Sequence, residues 1–595
     1  MAGTTIDLNT LLYDREYLAT AISQKYDEWQ GFRQTWLDEK KELRDYLFAT
    51  DTRKTSNAKL PWKNSTTLPK LTQIRDNLHA NYLAALFPSE DWLEWEGNAE
   101  NDETKAKSDA IEDYMRTKLR QDNAEAVFSR LLLDYIDYGN CFATCKWVDE
   151  AIEDPVTKEI KRGYVGPRYT RISPYDIVFN PIAARFEESP KIVRALKDMG
   201  ELYEHMEKLP DGDPKKAQFA KVIGRSLEMR SYYRGLRSTD SDKSQGFQID
   251  GFGSLEQYFS TDTVEVLTFY GDIFDMQKNV FYKNYKIVII DRCWVIEDEQ
   301  NPNWVAGSGI FHAGWRLRPD NLYAMGPLDN LVGMQYRIDH LENAKADAFD
   351  LTVYPIVKKT GYVEHFEFAP GVQINCGEEG DVNFLNKELS SVVSADNQIE
   401  TIMFRMEEMA GAPREAMGFR TPGEKTKFEV QKLDNAAQRI FLNKTEQFER
   451  EFLTKLLNYG LGLARQNMSA ADVTRTLDSE VDAVIFATVT KDDITANGVL
   501  RPVGASHFAR KANILQNIVN LSNTPLMQDP SVNVHISGKK MAQLVEELSE
   551  LDKFGLYSEN VRVFEQAETQ RLIDGANQRV EQAAATPNEI GLTGI

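Results

Sequence analysis

The chain has 595 residues, of which 42% are hydrophobic, 27% charged and 10% aromatic, and its formal net charge is −22. That length holds several domains with large cores, and the apolar and aromatic content excludes a chain disordered throughout. The acidic balance speaks against a conventional nucleic-acid binder, which carries a basic domain or stripe.

The N-terminus, MAGTTIDLNTLLYDREY, has neither a basic n-region nor an apolar h-region. No apolar run approaches the roughly 20 residues a membrane helix needs. A protein neither secreted nor membrane-spanning is expected. Residues 11–49 predict one long amphipathic helix. Leu18, Ile22, Trp29, Phe32, Trp36, Leu43 and Tyr46 form its apolar face, and the charges of DEKKELRD lie in solvent. A polar Lys- and Thr-rich loop follows over 50–69, then helices over 70–87, 102–122 and 123–138, the first ended by Pro88. DYIDYGNCFATCKWV reads as helix, Gly139-Asn140 turn and strand, and YVGPRYTRISPYDIVFNP as two strands joined by a turn. Cys141 and Cys145 have no second pair at ligand spacing, so they read as reduced, buried thiols of a cytosolic protein, as do Cys293 and Cys376 as reduced thiols. Residues 186–236 read as helical and 237–262 as an exposed loop. Strands return over 263–270, 279–290 and 292–297.

From 327 the pattern changes. GPLDNLVGMQYRIDHLENAKADAF starts a helix at Pro327, with Leu331, Met334, Ile338, Leu341 and Ala348 at helical spacing. Short strands fill 353–387, with turns at KKTGYV, APG and CGEEGD. A second amphipathic helix spans 392–410, its apolar face formed by Ile399, Ile402, Met403, Met406 and Met409. The Gly-, Pro- and Arg-containing segment 411–426 leads into a long helix. Phe428, Leu433, Ala437, Ile440 or Phe441, Phe448, Phe452 and Leu456 mark its buried side, and a break is expected at Gly460/Gly462. Strands follow at 483–490 and after the Asn-Gly turn of TANGVLRPVG. Helices follow over 504–522, 538–553 and 558–586, then a disordered tail. The fold class is therefore α+β and mostly helical.

No enzyme site stands out. The stretch Gly418 to Thr426 has Glu424 where a phosphate loop needs Lys directly after its second glycine. The seven histidines form no HExxH pair, and no Gly-x-Ser-x-Gly elbow occurs. No catalytic residue, cofactor or metal is assigned.

The order of elements and several local phrases resemble the phage portal (head-to-tail connector) family, in particular portals of short-tailed phages. The phrases are NYLAALFPSEDWLEWE, IDYGNCFATCKW, SPYDIVFNP, DNLVGMQYRIDHLENAKADAF, RTPGEKTKFEVQKL and DITANGVLRPVGASHFARKANILQNI. The resemblance covers most of the chain and rests on their shared order. It implies a wing over 1–326, an outgoing stem helix over 327–352, a clip over 353–391 and a returning stem helix over 392–410. A tunnel loop over 411–426, a long helix and wing return over 427–500 and a helical crown over 501–595 complete the pattern. It also implies a ring, usually a dodecamer, at one capsid vertex, which conducts double-stranded DNA during packaging, retention and ejection. The implied partners are terminase, adaptor or tail proteins, and the major capsid and scaffolding proteins, with no membrane. The implied locations are the virion and, during assembly, the host cytoplasm.

An acidic ring suits a conduit, because every cation that neutralises a phosphate adds affinity that would hold the DNA. Under the resemblance, Arg337 and Lys345 of the outgoing helix and Arg414, Arg420 and Lys425 of the loop are candidates to touch passing DNA. Lys358, Lys359, His365, Glu367, Glu378 and Glu379 are candidates to meet terminase or adaptor. Two alternatives remain: another structural virion protein of tail or internal core, and a nucleotide-dependent nucleic-acid motor using 418–426.

Overall fold

A computed structural model describes residues 4–8, 15–49, 64–88, 92–97, 102–153, 160–207, 209–232, 241–251, 264–301, 307–353, 356–367, 372–385, 390–411, 439–468, 472–477 and 484–504, and the single positions Ile518 and Val545. The fold is mixed α+β, about half helical rather than mostly so, with several antiparallel sheets. The chain divides into two units. One comprises Met1–Asp472 with Val489–Gly504, the other Val473–Thr488 with Ala505–Ile595. Residues 412–426 of the loop, the start of the long helix, the turn at APG, most of the 50–69 loop, nearly all of the three C-terminal helices and the tail lie outside the described residues.

The predicted first helix is two, α1 (Arg15–Phe32) and α2 (Gln34–Phe48). They meet at Arg33, whose guanidinium donates to the carbonyls of Pro174, Ile177 and Tyr175. Arg33 is 4% exposed. Three carbonyls in place of water compensate its desolvation and fix the break. The break turns Phe32 outward, 77% exposed, against the predicted apolar face. Lys40 and Lys41 of the presumed solvated face are buried, Lys40 paired with Asp329.

Strands β1 (Thr5–Leu8), β5 (Ile177–Phe179), β6 (Lys191–Lys197), β7 (Val264–Asp275), β8 (Val280–Ile290) and β9 (Trp294–Gln300) form one sheet. Its path is β5-β6-β7-β8-β9, with β1 parallel to the far half of β7. Side chains alternate across a strand. Leu267, Phe269, Ile287 and Ile289 therefore pack with α1, while Val264, Val266, Ile290 and Ile296 pack with α6 (Met199–Glu207) and α7 (Pro214–Tyr232). β6 corrects the prediction of continuous helix over 186–236: Ile192 and Val193 sit between Pro190 and the next helix, too short a run for helical periodicity to be tested. α8 (Ser241–Ile249) replaces part of the loop predicted over 237–262.

The second sheet is β10-β3-β4: β10 (Ile310–Gly314), β3 (Asn140–Glu153) and β4 (Ile160–Ile172). The two strands predicted around SPYD thus belong to different sheets. The Gly139-Asn140 turn has a stated cause. Gly139 has φ +70°, and a Cβ there would lie 2.3 Å from Gly326 N. Asn140, fully buried, accepts from Ala324 N–H and donates to Ala324 O, both at 2.9 Å, tying β3 to β12 (Asn321–Met325). β12 pairs with β11 (Arg316–Arg318).

The largest core joins α2, α3 (Lys70–Leu86), α4 (Asp102–Gln121), α5 (Ala124–Asp137) and the long helix. That helix runs from α11 (Arg439–Phe448) through a π turn, Glu449–Leu453, into α12 (Thr454–Asn467). Phe448, Phe452 and Leu456 are buried as expected, Phe441 is partly buried, and Ile440 is exposed. The helix does not break at Gly460/Gly462. Gly460 is a notch: a Cβ there would lie 2.2 Å from the Tyr169 hydroxyl. β2 (Leu93–Gly97) closes this core by pairing antiparallel with β17 (Gly498–Pro502). Cys141 and Cys145 are free and buried, and burial pushes both thiols well up; Cys293 and Cys376 are free and exposed. In the second unit the described residues form β15 (Asp472–Leu477) and β16 (Val484–Val489), a two-stranded sheet.

Candidate functional site

The candidates fall on one helix–hairpin–helix excursion. A 3-10 turn, Asp329–Leu331, starts α9 (Val332–Val353), later than the start predicted at Pro327. The hairpin β13 (Ile356–Thr360) and β14 (Asp381–Leu385) follows, and α10 (Ser390–Ala410) returns. Lys345 of α9 meets Asp396 of α10, and the 3-10 turn touches α10. Leu331 to Lys345 and Asp396 to Ala410 each span about 21 Å of helix, so the two helices run antiparallel.

The base is polar where a leucine stripe was expected. Leu331 and Ile338 are buried, but the other buried residues of α9 are Gln335, Asp339 and Asn343. These three and Asp347 recur every fourth residue and read the backbone of residues 64–71. Gln335 Oε1 accepts from Leu71 N–H (3.2 Å), Asp339 Oδ1 from Leu68 (3.0 Å), Asn343 Oδ1 from Thr66 (2.8 Å) and Asp347 Oδ1 from Asn64 (3.1 Å). Gln335 and Asn343 donate in return to Leu68 O and Thr66 O. The spacing has a geometric reason. Four helical residues rise about 6 Å and two extended residues about 6.6 Å, so the rungs at Leu68, Thr66 and Asn64 stay in step, while Leu71, three residues on, already belongs to the first turn of α3. Asp339 also accepts from Gln335 Nε2 at 2.9 Å, while its Oδ2 is buried with no partner among the described residues. Burial pushes its carboxyl up to about 7.

Two buried ion pairs complete the base: Lys70 of α3 with Glu407 of α10, and Lys40 of α2 with Asp329. Ile399 and Met406 of α10 are buried, Ile402 and Met403 half-buried, and Met409 exposed, against its predicted place on the apolar face.

Lys345 donates to Glu342 (2.8 Å) and Asp396 (2.9 Å), and these contacts, Glu342 first, raise its pKa. It staples α9 to α10 and is neutralised locally. Arg337 is exposed and makes no ion pair with a described residue. Arg414, Arg420, Lys425 and the whole 418–426 stretch lie outside the described residues.

The hairpin candidates Lys358, Lys359, His365, Glu367, Glu378 and Glu379 are all exposed. Pairing of Lys358 with Asn383 and Lys359 with Val382 sends the two lysines to opposite faces. Lys359 lies over the Phe366 ring at 4.5 Å. Gly361, at φ +70°, admits the turn, because a Cβ would meet Glu379 O at 2.4 Å. The excursion also exposes Phe349, Val353, Ile356, Tyr362, Phe404 and Met409.

Sequence reading missed the polar ladder and the two buried ion pairs. The available signal was four amide or carboxylate side chains at strict four-residue spacing. Among the described residues no three His, Cys, Asp or Glu side chains converge as metal ligands, and no helix is long and apolar enough to cross a membrane. No protein-family model matches the chain, and no curated protein matches it.

Proposed function

We propose that the chain is the subunit of a phage portal, a ring at one capsid vertex through which double-stranded DNA is packaged, retained and ejected. The observation that carries this reading is the antiparallel pair α9 and α10 joined by the β13–β14 hairpin and followed by a long helix. In the proposal, α9 and α10 are the stem, the hairpin is the clip that meets terminase and then the adaptor, and 411–426 is the tunnel loop.

The exposed apolar residues of the excursion support it. Phe349, Val353 and Ile356 stand close together in sequence at the end of α9 and the start of β13, and clustered exposed apolar side chains mark an interaction face. Heterologous contacts that close on themselves make rings, and each copy then covers its neighbour's apolar stem face. The charge supports it too: twelve copies at −22 each carry about −260, a field that keeps DNA from sticking to the wall. Of the two cations of α9, Arg337 is the one available to a passing phosphate, since Lys345 already serves two carboxylates.

End-on averages of the purified full chain by negative-stain electron microscopy test the proposal. Closed rings with a central hole and near twelve-fold symmetry are expected. Monomers or fibres at high concentration, with scaffolding and capsid protein present, overturn it.

A further inference from the structure

Away from the excursion, a cleft of about 310 Å³ opens between α2, α5, α8 and the end of β4. That is near the lower end of small-ligand pockets, roughly 300–1,000 Å³. On a chain of net charge −22 its wall is basic: Lys40, Arg44, Arg75, Arg130 and Arg171 line it, against Asp134 and Asp137.

Three of the arginines are held in place from behind. Arg75 pairs bidentately with Asp137 (2.7 and 2.8 Å), Arg171 with Asp134 and Arg44 with Asp250. Each uses Nε and Nη2, so each keeps an Nη1 edge. That of Arg44 reaches the Tyr138 hydroxyl only at 3.4 Å, that of Arg75 reaches Asp76 at 3.5 Å, and that of Arg171 bonds to no described residue. Lys40 is spent on Asp329. Arg130 is exposed and has no ion pair with a described residue. Guanidinium groups fixed by carboxylates are oriented before any ligand arrives, which lowers the cost of binding. Aromatic surface stands beside them in Phe48, Tyr138, Tyr175 and Phe247. Gly246 brings α8 against Arg44: a Cβ there would lie 2.9 Å from Arg44 Nη1.

We infer that this cleft binds a free phosphomonoester carrying an aromatic ring, of the nucleoside monophosphate class. The phosphate sits on Arg130 and the Nη1 edges, and the ring lies against the aromatic side chains. Neither the ring-forming reading nor the 418–426 stretch enters this inference.

The test is titration calorimetry on the full chain with adenosine monophosphate at pH 7.5. Inorganic phosphate and adenosine are the controls. The monophosphate is expected to bind about tenfold more tightly than phosphate, from stacking. Arg130→Ala, at an exposed position, is expected to weaken it about tenfold with an unchanged circular dichroism spectrum, and Phe247→Ala to remove the preference over phosphate. No binding at millimolar monophosphate, phosphate binding as tightly as the nucleotide, or equal binding by Arg130→Ala overturns the inference.

Discussion

Replacing Asp339 by asparagine isolates the buried acid of the polar ladder. The variant keeps the Oδ1 that accepts from Leu68 N–H and Gln335 Nε2. It removes the charge whose Oδ2 has no partner among the described residues. In the wild type the carboxyl stands near 7 in the folded chain, against an ordinary 3.8. A folded-state pKa above the unfolded one means that the folded chain holds the proton more tightly. The resulting stabilisation is complete below pH 3.8 and is lost as the pH rises through 7. At pH 6 it amounts to about 1.4 kcal/mol, and by pH 8.5 it is gone. Asparagine has no such term; its unpartnered amide group carries a cost of about 1–3 kcal/mol that does not change with pH. Urea unfolding followed by tryptophan fluorescence, at pH 6 and 8.5, should therefore show the variant gaining about 1.4 kcal/mol on the wild type between the two. Other raised acids, among them Glu449 near 7 and Asp45 near 6, titrate alike in both proteins and cancel in the difference. An identical difference at both pH values refutes the reasoning.

Lys70→Met alone leaves Glu407 charged and buried, and should lower stability by about 3–5 kcal/mol, whereas Lys70→Met with Glu407→Leu should recover most of it in a double-mutant cycle of thermal midpoints. Gly460→Ala drives a methyl group into the Tyr169 hydroxyl and should cost about 1–3 kcal/mol. Gly224→Ala, inside α7 with nothing within 4 Å of the new Cβ, should gain about 0.5–1 kcal/mol by the same thermal measurement. Phe349→Asp with Val353→Asp, at exposed α9 positions, should leave the folded chain within about 1 kcal/mol but, under the portal reading, abolish rings in sedimentation and negative stain.

What could be read from the sequence follows from how local each signal is. α3, α4, α5 and α10 lie close to their predicted bounds, because their apolar periodicity and flanking breakers are contained within each segment. The hairpin was readable from the turns at Gly361 and Gly377–Gly380. β2 was not. Its stability comes from β17, some 400 residues away, and no local pattern announces such a partner. β6 was hidden for the same reason, as a short strand between β5 and β7 flanked by helical sequence. The break between α1 and α2 depends on three carbonyls more than 140 residues from Arg33, so the continuous periodicity misled. At the candidate site the excursion was legible and its anchorage was not. A search for apolar stripes passes over Gln335, Asp339 and Asn343, because their burial depends on backbone groups of another segment.

The chemistry of that anchorage bears on what the excursion can do. Apolar packing is non-directional and tolerates small slides. The ladder does not, because each acceptor meets one backbone amide and a slip along α9 leaves buried polar groups unpaired, at about 1–3 kcal/mol for each. The two buried ion pairs are equally intolerant, since separating either strands a charge. The angle at which α9 and α10 leave the body is thus set by directional bonds at the base, while Phe349, Val353 and Ile356 are exposed on the outer part. In a closed ring a small angular error is repeated at every subunit and prevents closure. Under the portal reading proposed above, a polar base fixing direction and exposed apolar side chains supplying adhesion divide the labour of a ring-forming stem, and this separates two kinds of failure. On that reading, substitutions in the ladder should give assemblies that do not close, and Phe349→Asp with Val353→Asp should give no rings.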